Sequence, residues 1–141
     1  MDFVPLLIGT GGNAGSQTVG TIIRGLALGE IQRNDGLRVL YREWLTGVLM
    51  GLLLGGIGFG YTWMLHRNAA FAAVIALAIL FICMWANSVG ALVPLLARRF
   101  GIDPAVVSAP LISTLVDATG LVIFYSVAII LLIKVGGLGP A

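Results

Sequence analysis

Four long apolar stretches, residues 3–28, 44–65, 69–97 and 105–133, alternate with short connections that hold most of the charge. Each stretch exceeds the ~20 residues that a helix needs to cross a bilayer's hydrocarbon. None alternates with a period of two, as a membrane barrel strand would. The pattern predicts an all-α polytopic membrane bundle, four transmembrane helices forming a single domain over residues 1–141. The first helix is expected to be irregular. GTGGNAG, residues 9–15, holds four glycines in seven positions, which disfavours a continuous helix. Unwound backbone at membrane depth must be buried in protein or line a cavity, where its carbonyls can serve a cation.

Composition sharpens this picture. Hydrophobic residues make up 59% of the 141 positions and charged residues 10%, with a mean hydropathy of +1.05. A soluble domain needs more polar surface. Arg33, Arg38 and Arg42 lie in connection 29–43, and Arg98 and Arg99 in connection 98–104. Arg67 stands alone between the second and third stretches, and Lys134 follows the fourth. The positive-inside rule places connections 29–43 and 98–104 in the cytoplasm and both chain ends outside a cell (inner or plasma) membrane. An outside start without a signal sequence predicts a further span upstream of Met1 in the natural protein. The net charge of +2 gives no reason to expect a nucleic-acid partner. Cys83, the only cysteine, reads as a small packing residue inside an apolar stretch.

Polar residues within the stretches divide into packing and chemistry. Gly47, Gly51 and Gly55, extended by Gly58, form a small-residue face for close helix approach. Asn87 reads as an interhelical hydrogen-bonding residue, Pro94 as a kink, and His66 as a solvated residue beside Arg67. After the Asp35-Gly36 turn, Leu37, Leu40, Tyr41 and Trp44 share one helical face leading into the second span. Gly101 can end a helix, and Asp103-Pro104 suits the start of the last one.

Asp117 is the one charged side chain between Ala105 and Ile133. Counted from Ala105, it lies ~18 Å along the helix, near mid-bilayer. A charge there costs roughly 2.5–3.5 kcal/mol on insertion scales and is tolerated facing water, an ion or a partner. Ser113 and Gly120 share its face, and Pro110 is expected to release a carbonyl one turn earlier. In the first stretch, Asn13, Gln17, Thr21 and Arg24 form a polar stripe at helical spacing. Arg24 is placed near the cytoplasmic mouth, and an Asp117–Arg24 ion pair is the rival arrangement. One carboxylate with amide, hydroxyl and carbonyl oxygens is a hard-cation donor set. Two copies in a symmetric dimer supply two carboxylates, suited to a hydrated Mg²⁺.

PLLIGTGGNAGSQ (5–17), RGLALGE (24–30) and TLVDATG (114–120) together resemble the MgtE family of magnesium channels and transporters. The resemblance implies a homodimer with its pore along the subunit interface, and a five-helix membrane unit of which this chain looks like the last four. It implies that Asp117 holds the pore ion together with the Ser113 carbonyl. It also implies that Gly12, Asn13, Ala14 and Gly15 line the pore. Gln17 and Thr21 of the polar stripe, with Thr114 and Gly120 beside Asp117, are further lining candidates. A position two turns before the Asp, often Asn in the family, is Ala109 here. Cytoplasmic regulatory domains found in many members are absent from this sequence.

The expected function is passage of a divalent cation, foremost Mg²⁺, through a pore between two copies in the bilayer. Two alternatives remain open. One is an ion-coupled secondary transporter using Asp117 to carry H⁺ or Na⁺. The other is a non-transporting assembly subunit that docks through its glycine face. No HExxH, paired catalytic carboxylates or Ser-His-Asp set points to an enzyme.

Overall fold

The structure, a computed structural model, describes residues 3–32 and 34–136. Arg33, the side chain of Lys134 and the chain termini, on which part of the orientation argument rests, lie outside the described residues. The described chain is helical: α1 (Val4–Ala27), α2 (Gly36–His66), α3 (Ala69–Arg99), a 3₁₀ turn (Pro104–Val106) and α4 (Ala109–Gly136). α3 is the hub. It packs against α1, α2 and α4, and α1 packs in turn against α4. α2, α3 and α4 are each long and apolar enough to cross a membrane. α1 falls short of that apolarity because its sequence mixes glycines with the Asn13–Arg24 stripe.

The expectation of an unwound first span is corrected. α1 runs unbroken through residues 9–15. Intrinsic propensity charges each helical glycine about 1 kcal/mol relative to alanine. Packing offsets it here, because several of these glycines sit where no side chain fits. A Cβ at Gly11 would lie 2.6 Å from Ile82 Cγ2, and one at Gly15 would lie 3.2 Å from both Ile112 and Val116. Small residues let α1 close on α3 and α4, and an intact helix satisfies its own amides in lipid. The carbonyls of residues 12–15 are therefore engaged in the helix.

The last helix also begins later than expected. Asp103 caps the 3₁₀ turn, its carboxylate accepting from the Ala105 amide at 2.9 Å. α4 then starts at Ala109, where Ser108 Oγ accepts from the Leu111 amide at 3.3 Å. Pro110 thus falls in the first helical turn, where a missing N–H leaves no intrahelical carbonyl unpaired. The carbonyl release expected from Pro110 does not occur within the helix. Counted from Ala109, Asp117 lies ~12 Å along α4 rather than ~18 Å, still inside a ~30 Å hydrocarbon layer.

The α2–α3 contact follows the glycine spacing. A Cβ at Gly47 would lie 2.8 Å from the Cys83 carbonyl oxygen, one at Gly51 2.8 Å from Leu80 Cα, and one at Gly55 2.8 Å from the Ala76 carbonyl oxygen. Gly58 continues the face against Ile79. Cys83 is fully buried in this contact. α3 continues through the buried Pro94 to Arg99. Gly101, at φ +74°, ends it, with the Ile102 amide donating back to the Ala97 carbonyl at 2.8 Å. His66 is exposed, yet its ring packs edge-on against Phe71 with centroids 5.2 Å apart. At the other end, Arg98 Nη1 donates to the Ile31 carbonyl at 2.8 Å, tying the first connection to the third.

Candidate ion site on the α1–α4 seam

α1 and α4 pack together where Gly12 faces Asp117 and Ser113. A Cβ at Gly12 would lie 2.5 Å from Oδ1 of Asp117 and 2.6 Å from Oγ of Ser113. Glycine is what allows the carboxylate to sit against the α1 backbone. Both acidic and hydroxyl side chains are half-buried. Asp117 Oδ1 is itself buried and has no hydrogen-bond partner among the described residues. The Arg24 pairing is therefore not made through that oxygen. Leaving a buried carboxylate oxygen without a partner is costly, and native structures seldom do so without a reason.

The Asn13–Arg24 stripe lies at the edge of this contact. Asn13, Gln17, Thr21 and Arg24 are all exposed, as is Thr114 on α4. The hydroxyls of Thr21 and Thr114 donate to the carbonyls of Gln17 and Pro110, each at 3.0 Å. Their oxygens keep lone pairs for water or a hydrated ion. Arg24 lies in the last turn of α1, where a cation complements the helix dipole. Of the other residues singled out from sequence, Ala14 and Gly15 face the interior, against a cluster containing Val19, Ala86 and Val116. Gly120 is buried with Ile82 as its nearest neighbour across the bundle. The structure therefore unites Gly12, Ser113 and Asp117 on one seam, sets Asn13, Gln17, Thr21, Arg24 and Thr114 on the outer face, and turns Ala14, Gly15 and Gly120 inward.

Two residues that hold α1 in register were not apparent as such from sequence. Thr18 donates to Asn87 Oδ1, both side chains buried between α1 and α3. Asn87 thus makes the interhelical bond its position suggested. Ser16 Oγ donates to the Ala109 carbonyl at 3.2 Å, fixing α1 against the start of α4. A visible signal was Gly90, whose missing side chain admits the Gly15 carbonyl and Thr18.

Comparison with known proteins decides the family. The MgtE family model, described as "divalent cation transporter", matches residues 4–127. The chain belongs to the MgtE family. It is 44% identical over 130 residues to a magnesium transporter MgtE of Thermus thermophilus, covering 92% of this chain and 29% of that protein. It is 35% identical over 126 residues to a magnesium transporter MgtE of Enterococcus faecalis, covering 89% of this chain and 28% of that protein. A Bacillus subtilis protein of the same name is 29% identical over 126 residues, with the same coverage as the Enterococcus relative. The chain thus spans less than a third of the length of the curated relatives it matches. The MgtE family consists of transporters, in keeping with a sequence that carries no enzymatic constellation.

Proposed function

We propose that this MgtE chain forms a membrane pathway for divalent cations, with Mg²⁺ as the favoured cargo, built between two copies of itself. The observation that carries the reading is the buried, partnerless Oδ1 of Asp117, held against Gly12 beside an exposed polar stripe. A bare carboxylate is stabilised by an approaching cation. Ser113, Asn13, Gln17, Thr21 and Thr114 then orient the ion's water shell, in keeping with magnesium's reluctance to dehydrate. The names of the relatives favour Mg²⁺ over other divalent ions.

In this reading α1 is the fourth spanning helix. Its 24 residues extend ~36 Å, enough to cross ~30 Å of hydrocarbon. An outward row of amides, hydroxyls and a guanidinium is unfavourable against lipid and favourable along a wet seam. A second copy facing α1 and α4 makes such a seam and brings two Asp117 carboxylates to it. The connections bearing Arg38, Arg42, Arg98 and Arg99 face the cytoplasm, and Arg24 sets the charge at that mouth. The bundle acts as one transmembrane domain in the cell membrane.

The test is flux into liposomes holding the purified chain. A Mg²⁺ gradient alone is expected to drive uptake. Uptake that needs an imposed pH or Na⁺ gradient would favour coupled transport instead. No uptake under any gradient would contradict a pathway built by this chain; a subunit docking a partner through Gly47, Gly51 and Gly55 is disfavoured already, because α3 fills that face.

A further inference from the structure

At the Arg98 end of the bundle, α1, α2 and α3 diverge around a groove of about 620 Å³. Its walls are leucines, among them Leu26, Leu40, Leu92 and Leu96, and its rim carries Arg98 and Arg99. Arg98 spends one guanidinium nitrogen on the Ile31 carbonyl. No acidic side chain is among the described residues lining the groove; Asp35, next to the rim, accepts from the Gln32 amide at 2.9 Å, and Asp103 lines a separate cavity that Arg98 also borders. The rim is thus cationic over an apolar floor. These arginines close the apolar run of α3, which puts them at the level of lipid headgroups.

We propose that this groove is a binding site for one anionic glycerophospholipid, its phosphate on Arg98 and Arg99 and an acyl chain along the leucines. Charge complementarity selects the occupant. A zwitterionic lipid brings its own cation to the arginines, whereas an anionic headgroup leaves a net negative charge to be met. The amide groups of Gln32 and Asn34 at the same rim supply donors to the headgroup oxygens. Leu37, 84% exposed on the first turn of α2, extends the apolar lip outward for the chain to enter from the bilayer. The site is separate from the Asp117 seam, and its test does not depend on ion passage.

The experiment is native mass spectrometry of the full chain in detergent, titrated with phosphatidylglycerol, with phosphatidylcholine and with inorganic phosphate. One phosphatidylglycerol should be retained per chain, in preference to phosphatidylcholine. Arg99→Gln is expected to weaken retention about fivefold, the effect of one basic side chain near a headgroup. Arg67→Gln, which removes the same charge at the opposite end, should leave it unchanged. Arg98 also holds the loop, so Leu96→Glu is the second variant. It puts a carboxylate on the partly exposed rim and should abolish retention. Equal retention of both lipids, equal loss in Arg67→Gln and Arg99→Gln, or displacement of the lipid by inorganic phosphate would each overturn the proposal.

Discussion

Gly12→Ala is expected to cut Mg²⁺ flux at least about tenfold while the chain stays folded. The new methyl would stand 2.5 Å from Asp117 Oδ1 and 2.6 Å from Ser113 Oγ. Both are ends of side chains, so they can swing aside, and the backbone need not part. Overpacking of this kind costs roughly 1–3 kcal/mol, partly offset by the ~1 kcal/mol alanine gains over glycine in a helix. Net stability should therefore change little. What changes is where the carboxylate points, and a loss of ~1.4 kcal/mol at the ion is already a factor of ten. Gly9→Ala is the control, because nothing lies within 4 Å of its added methyl. It should keep flux and hold or raise stability. Equal flux in the two variants would mean that Gly12 has no part in placing Asp117.

The second large effect is structural. Gly51→Leu should separate α2 from α3, because the first added carbon meets Leu80 Cα at 2.8 Å and the Leu80 carbonyl oxygen at 3.0 Å. Backbone cannot rotate away as a side chain does. The helices must move apart, and the contacts of Gly47 and Gly55 on the same face are lost with them. We expect a destabilisation of roughly 3 kcal/mol or more, at the upper end of overpacking costs. Detergent-titrated unfolding followed by circular dichroism reads it directly. Gly56→Leu, on an open face with nothing within 4 Å, is the matched control and should unfold at the wild-type midpoint. Coincident midpoints for Gly51→Leu and wild type would show that this face is not tightly packed.

The Gly47–Gly58 face was legible in the sequence because its spacing and its purpose are the same thing. A four-residue repeat of small side chains on an apolar helix has one physical use, and α3 occupies it. The partner of Asn87 was not legible. Thr18 lies beside Gln17, about 100° round α1 from it and off the polar stripe, and the sequence alone does not say which face of α1 meets Asn87 until the register of α1 on α3 is known. The reading of GTGGNAG erred through a local argument. Glycine weakens a helix taken alone, but Gly11, Gly12 and Gly15 are where α1 meets Ile82, Asp117 and Ile112. Tertiary contact reversed the sign. The start of α4 was missed for a related reason, since Asp103-Pro104 caps a 3₁₀ turn as readily as an α-helix. Asp117 stood out from sequence by its isolation alone. That its oxygen is buried against a glycine of another helix is information only the packed bundle contains.

The most direct measurement is calorimetric titration of Mg²⁺ into the wild-type chain and Asp117→Asn, with liposome flux on the same preparations. Asparagine keeps the size of the side chain and removes its charge, so the fit beside Gly12 is retained. The account predicts saturable binding by the wild type, an affinity at least about tenfold weaker in Asp117→Asn, and flux that falls in step. Superimposable isotherms with undiminished flux would contradict it.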